Sequence, residues 1–384
     1  MKAAAPTPNF EALLTRIHAR QVSSATKVAA LPPVGPAWFP SVMGTAILAL
    51  LVEQHLGRTP IGHLAAAAWL VAAWVALLWL CVAFARRCRR SPGALRESVS
   101  DPSTVALWGT VSMAVLATGS ATLAVGQYAG WAVVIDLATW TVGTILGLVT
   151  VVIFGLLVAR GGSGRPTMVW GLAVVSPMVT ATGGASLAAA LPRPWGLLVR
   201  TSSELAFVIA LVLAVVVFAS AYHHHLRIAP LPVELSATSW IPLGVVGQSM
   251  AAAQTLGAGT EFESVTHVYG FAMLIAAVPV IGYAVRRTAS GFAHGMPFAT
   301  NWWSLTFPIG TLSLGTHLLG AQTGLAWVST LSWLTLLTLA GTWTFCAVST
   351  ARAVIGAWRG SSAPVTGSTG PAWPARPRHH RPRA

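Results

Sequence analysis

Charge is what this sequence has least of. Only 8% of its 384 residues are Asp, Glu, Lys or Arg, against about 25% in an ordinary soluble domain. Acidic residues are scarcest, 9 in the whole chain. So little polar surface cannot cover a water-exposed globule, which excludes a soluble enzyme, a disordered protein and a plain DNA-binding domain. Cysteine is nearly absent as well. Cys81, Cys88 and Cys346 are odd in number, lack metal-ligand spacing and read as isolated reduced thiols. No H-E-x-x-H, G-x-S-x-G or Walker loop occurs, so neither hydrolysis nor direct ATP drive is supported; the sequence calls for no enzyme activity and no cofactor. The first long apolar segment begins only near Trp38, without the short apolar core and cleavage site of a signal peptide.

What is present is hydrophobic length: 55% of the residues are apolar. A bilayer core of about 30 Å needs roughly 20 apolar residues per helix. Ten stretches meet that need: 38–56, 61–85, 104–125, 131–159, 169–191, 195–221, 239–257, 265–285, 302–320 and 325–350. They are too long for strands and show no period-two alternation. The short connections at 126–130 and 321–324 require antiparallel hairpins. The expected fold is an all-α integral membrane protein, with ten transmembrane helices as five tandem hairpins. A transport domain of 38–352 then lies between an N-terminal tail of 1–37 and a basic C-terminal tail of 353–384.

The net charge of +14, taken alone, suggests nucleic acid. Its placement says otherwise. Twenty of the 23 basic residues fall on one side of the ten spans: Lys2, Arg16, Arg20, Lys27, the Arg86–Arg96 loop, Arg160, Arg165, Arg227, Arg286, Arg287 and the C-terminal set from Arg352 to Arg383. The other side has only Arg58, Arg193 and Arg200. The positive-inside rule makes both termini cytoplasmic in a multi-pass plasma-membrane protein. The basic tail at Arg376–Arg383 is expected to meet anionic lipid rather than nucleic acid.

Odd and even spans differ. Each odd span opens on tryptophan: Trp38, Trp108, Trp170, Trp240 and Trp302-Trp303. Small, helix-breaking and hydroxyl residues follow, while even spans such as 65–80 are continuously apolar. Pro40, Pro177, Pro242 and Pro308 punctuate four of the five odd spans; the third of the ten spans, 104–125, has no proline. Such residues are tolerated where a helix faces neighbours or a wet cavity, not lipid. Odd helices are therefore expected to line a central pore, with even helices as an outer ring. The expected lining includes Gly44, Thr45, Gly119, Pro177, Thr180, Gly247, Gln248 and Thr311. Close packing of small residues is the alternative reading for each of them singly.

Ionisable residues inside a membrane are costly and default to functional candidates. Asp136, five residues after Trp131, reads as an interfacial carboxylate. Arg200 and Glu204 stand four apart at the outer end of the sixth span, as an intrahelical ion pair or an outer-mouth charge. Glu53 reads as exterior, His317 as a packing residue rather than a pH sensor, and His223–His225 as a solvated face. No metal site is expected.

Two segments resemble a known group. Trp38-Phe39-Pro40-Ser41-Val42-Met43-Gly44-Thr45 resembles the opening motif of the tellurite-resistance/dicarboxylate transporter family. Trp302-Trp303-Ser304-Leu305-Thr306-Phe307-Pro308-Ile309-Gly310 resembles its W-W-x-x-T-F-P segment. That family includes bacterial tellurite-resistance protein A, fungal malate and sulfite transporters, and plant slow anion channels. The resemblance implies five hairpins in quasi-fivefold array, a homotrimer, and a phenylalanine on the ninth helix that occludes the pore. Phe307 matches that position, with Pro308 and Gly310 as its hinge. The leading expectation is a transporter or channel for small anions. A proton-coupled carrier of C4-dicarboxylates or sulfite is the second; a dicarboxylate favours paired cations, and Arg200 is the one candidate within the spans. A non-transporting receptor or scaffold is the third.

Overall fold

Apolar runs of this length meet no water that can satisfy their peptide groups, so they fold as helices whose hydrogen bonds close internally. The computed structural model describes residues 31–161 and 165–361, and among these there is no strand. Residues 1–30 and 362–384, and the expectations placed on them, lie outside the described residues. The ten long helices are α1 (Pro40–Leu56), α2 (Pro60–Arg90), α3 (Trp108–Val125), α4 (Gly130–Ala159), α5 (Gly171–Ala190), α6 (Trp195–His223), α7 (Ile241–Gly257), α8 (Glu263–Ala293), α9 (Phe307–Thr323) and α10 (Ala326–Ser361). α10 runs on to Ser361, past the expected boundary at 352.

Two length classes emerge. Even helices have 29 to 36 residues and reach about 44–54 Å, well past a hydrocarbon core of about 30 Å. Odd helices have only 17 to 20, because a 3-10 or short helical segment takes over the layer just before most of them. Those segments are Pro36–Trp38, Pro102–Ala106, Met168–Trp170, Val233–Trp240 and Thr300–Leu305. Eight of the helical segments are long and apolar enough to cross a membrane. The other two, α7 and α9, have 17 residues each and fall short once their opening turns are wound as 3-10. The chain is an all-α integral membrane protein.

Burial separates the same two classes. In the most apolar windows of the α1, α3 and α5 segments 67–72% of residues are buried, against 17–33% for the even helices. Contacts explain the split. α1 packs on α3, α3 on α5, α5 on α7, α7 on α9, and α9 returns to α1, closing a ring. Each even helix packs on the odd helix before it and touches the next one: α2 bridges α1 and α3, α4 bridges α3 and α5, and α10 returns from α9 to α1. Tryptophans on even helices anchor these contacts. Trp74 Nε1 donates to Thr122 Oγ1 at 3.0 Å, Trp140 Nε1 to the Thr180 carbonyl at 3.0 Å, and Trp343 Nε1 to Thr45 Oγ1 at 2.9 Å.

Three of the four odd-span prolines are not kinks. Pro40, Pro242 and Pro308 occupy the first two positions of their helices, where a missing N–H leaves no hydrogen bond unmade. Pro177 alone sits inside an odd helix. Ahead of α3, which has no proline of its own, Pro102 starts the short preceding helix, where Asp101 and Thr104 form a capping box.

The ring depends on close backbone approach. At Gly247 an added Cβ would run into the backbone of Thr311 and Leu312 on α9, and at Gly109 into that of Leu172 on α5. Backbone cannot step aside as a flexible side chain does. Gly247→Val is therefore expected to destabilise the protein by about 1–3 kcal/mol or more, read as a lower unfolding midpoint in detergent. An unchanged midpoint would show that α7 and α9 are free to part.

Most described arginines collect at the end where the odd helices begin; Arg58, Arg193 and Arg200 are at the other. These two ends are called the basic and the opposite face below.

Candidate functional site

Inside the ring lies a cavity of about 410 Å³ that draws on all five odd helices. Its polar lining comprises Gln54 of α1, Ser120 of α3, Thr182 and Ser186 of α5, Gln248 and Thr255 of α7, and Gln322 of α9. Ile47, Leu50, Leu123, Val179, Leu314 and Leu318 supply apolar wall, and Tyr128 stands at the α3–α4 connection. These residues run from the middle to the end of their helices, so the cavity lies toward the opposite face.

A second, much smaller cavity of about 30 Å³, room for about two water molecules, lies at the first turns of the same helices. Pro40, Met43, Thr110, Met113, Leu172, Val175, Ile241 and Gly244 line it, with Trp303, Ser304 and Pro308. One residue lines both cavities: Phe307. It is the first residue of α9 and is 5% exposed. The turn beneath it is fixed by the Thr306 hydroxyl, which donates to the Trp303 carbonyl at 2.7 Å.

Electrostatics along this axis come from dipoles. No residue lining either cavity is charged. All five odd helices begin around the smaller cavity, and each helix start carries about half a positive elementary charge. In the larger cavity the side-chain oxygens of Gln54 and Gln248 are buried without a hydrogen-bond partner. Gln248 is 3% exposed.

Of the eight residues expected to line a pore, Gln248 lines the larger cavity. The other seven lie elsewhere. Thr45 hydrogen-bonds Trp343 of α10, and Thr180 receives the Thr144 hydroxyl at 3.2 Å. Gly44 abuts Thr306 and Trp303, Gly119 abuts Asp136 and Thr139, and Gly247 abuts α9. The Thr311 hydroxyl turns back to the Pro308 carbonyl at 2.7 Å, and Pro177 is buried in α5 outside both linings. Small and hydroxyl residues serve helix contact as readily as they serve a cavity. Pro308 lines the smaller cavity and starts α9 rather than bending it, while Gly310 fits against Ile47 of α1.

Spacing held a signal for the missed lining residues. Positions 47, 50 and 54, then 117, 120 and 124, then 179, 182, 183 and 186 follow steps of three and four along single helix faces.

The ionisable residues also need revision. Asp136 is not at the surface: it is 1% exposed, and its Oδ2 has no hydrogen-bond partner. Five residues turn a helix by roughly 500°, leaving Asp136 about 140° away from the exposed Trp131, on the side facing α3. Burial, and then the Asp136 carboxylate, push the phenol of Tyr128 above its ordinary range. Tyr128 itself sits at φ +58. Glu53 is tied to His63 Nδ1 at 3.0 Å. Arg200 pairs with Glu204 at 3.0 Å and donates to the Leu256 carbonyl at 2.6 Å, so this pair caps the end of α7 rather than lining the cavity. His224 and His225 are buried rather than solvated, because residues 224–228 form a π-turn that tucks them in.

Comparison with known proteins fits this arrangement. The family model for the voltage-dependent anion channel matches residues 33–351, from just before α1 to the far part of α10. The chain belongs to the voltage-dependent anion channel family. Membership makes it a membrane transport protein of the anion channel and transporter type, and the match covers every helix that contributes to the two cavities. The chain is also similar to two proteins of Methanocaldococcus jannaschii, each named an uncharacterized transporter. One is 24% identical over 302 residues, covering 74% of this chain and 82% of its own length. The other is 27% identical over 122 residues, covering 29% of this chain and 32% of its own length.

Proposed function

We propose that this member of the voltage-dependent anion channel family conducts small anions along the axis of the odd-helix ring, and that Phe307 gates the path. The observation that carries the reading is the position of Phe307, the one side chain shared by two cavities on that axis. An aromatic ring in a narrow passage excludes water and ions until it moves. Neutral amides, hydroxyls and helix starts attract an anion weakly, and conduction needs binding that weak. All ten helices cross the bilayer in this reading, with both termini in the cytoplasm and the protein in the plasma membrane. By family resemblance it assembles as a homotrimer, each copy holding its own path.

The test is anion efflux from vesicles that contain the purified protein, across halides, nitrate, sulfite and malate. Passive flux of monovalent anions without a pH gradient is expected, and dianions should lag because no fixed cation lines the cavities. Absence of flux for every anion would leave the scaffold reading in its place.

Asp136 favours a second reading, proton-coupled carriage. An unpaired carboxyl buried among apolar helices costs least when protonated, and it lies behind the wall that carries Tyr128. Under this reading an inward proton gradient drives saturable uptake of a carboxylate or sulfite, and Asp136→Asn uncouples uptake from the gradient. Equal uptake with and without the gradient would dismiss it.

A further inference from the structure

His55 lies near the end of α1, directly after Gln54, whose side chain lines the larger cavity. Its Nδ1 is 2.9 Å from the Leu51 carbonyl and its Nε2 is 2.7 Å from Ser332 Oγ on α10. Ser332 Oγ also stands 3.1 Å from the Ser313 carbonyl on α9, while Ser313 Oγ donates to the Ser332 carbonyl at 3.0 Å. Both serines are buried.

Counting hydrogens in this chain gives two states. A carbonyl only accepts, so Nδ1 carries a hydrogen in both. The Ser332 hydroxyl has a single hydrogen to give. If it goes to His55 Nε2, the imidazole is neutral and the Ser313 carbonyl loses that donor. If it goes to Ser313, Nε2 has to donate in turn, and His55 then carries two N–H groups and a positive charge. The geometry accommodates either state with a turn of one hydroxyl.

We infer that His55, Ser332 and Ser313 form a proton-binding site just behind the wall of the larger cavity, linking α1, α10 and α9. A hydronium ion gives its proton to Nε2 and leaves as water, the Ser332 hydrogen swings to the Ser313 carbonyl, and no other bond changes. The titratable group that faces His55 is His317 of α9, with ring centres 4.4 Å apart. Trp333 of α10 packs edge-on at 4.8 Å. Glu53, two residues earlier on α1, is held by His63 of α2. Neighbouring positive rings repel, so the two rings take one proton more readily than two.

The charge has a use. His55 follows Gln54, and His317 lies between Leu314 and Leu318, and all three of those neighbours line the cavity. Protonation therefore places a cation just behind an otherwise uncharged wall, and mild acid raises anion occupancy. This consequence rests on the proposed anion path; the proton site itself does not.

The experiment follows both in protein carrying ¹⁵N-labelled histidine in lipid nanodiscs and vesicles. Between about pH 7.5 and about pH 4.5, a range that brackets imidazole titration, the His55 signal, assigned by its loss in His55→Gln, should pass from one N–H to two. Efflux at equal pH on both sides should rise about fivefold over the same range, the order expected for one charge a few ångströms behind the wall. His55→Gln should flatten that profile. Ser332→Ala, which removes the acceptor of the second N–H, should move it to lower pH, and this variant stands in if His55→Gln fails to fold. A His55 signal with no second N–H across the range overturns the site. A second N–H with flat efflux overturns the link to the cavity and leaves the anion reading to its own test.

Discussion

Phe307→Ala is expected to raise anion efflux from proteoliposomes by about tenfold or more. The ring occupies the level between a cavity of about 410 Å³ and one of about 30 Å³, and its removal joins them. The barrier proposed for it is the cost of stripping an anion of water in an apolar constriction, and a methyl group in its place leaves room for that water. Stability should suffer less than in a packed core, where Phe→Ala costs about 3–5 kcal/mol, since part of the ring borders cavity rather than protein. Phe307→Leu, which keeps an apolar plug, should stay close to the parent flux. Unchanged or reduced efflux in well-folded Phe307→Ala protein removes the residue from the gate.

Gln248→Glu should act in the opposite direction, cutting efflux by about tenfold to a hundredfold. The two side chains have nearly the same shape, so the change is one of charge. Gln248 is 3% exposed on α7, and its amide oxygen has no partner. A carboxylate there, with no fixed cation lining the cavity, repels an anion at short range by about 1.5–3 kcal/mol in a partly screened medium. The loss should shrink as the pH is lowered and the carboxyl takes up a proton, because buried carboxylates resist ionisation. That recovery distinguishes electrostatic blockade from misfolding, which acid does not repair. If Gln248→Glu conducts like the parent at neutral pH, anions do not pass that wall.

Alternation of helix class was legible because it rests on composition. A helix in contact with lipid has to be apolar almost throughout, and one surrounded by protein need not be. The opening tryptophans and the excess of glycine, serine and threonine marked α1, α3, α5, α7 and α9 without reference to geometry. Which face of each helix meets the cavity was not legible from residue type. Thr45, Thr180 and Thr311 have hydroxyls satisfied by neighbouring groups, so their polarity gave no hint of direction. Gly44, Gly119 and Gly247 permit close approach, which a list of small residues does not separate from cavity lining. Gln54 and Gln322 come from the last turns of α1 and α9, where a glutamine is as readily a membrane-surface residue. Asp136 misled for a related reason: depth in the membrane and direction around the helix are independent, and proximity to Trp131 in the chain reports only the first.

The ring of odd helices is drawn from one polypeptide, and its five members are not copies. A channel assembled from identical subunits repeats every wall residue, so any substitution acts several times at one level and a plug of aromatic rings opens in concert. Here each position along the axis is represented once per chain. If Phe307 gates as proposed, one rotamer change of one phenylalanine, an event of a few kcal/mol at most, alters the whole cross-section. Under the proposed path, selectivity on the α5 and α7 walls and gating on α9 would thereby be independent variables, open to change one residue at a time.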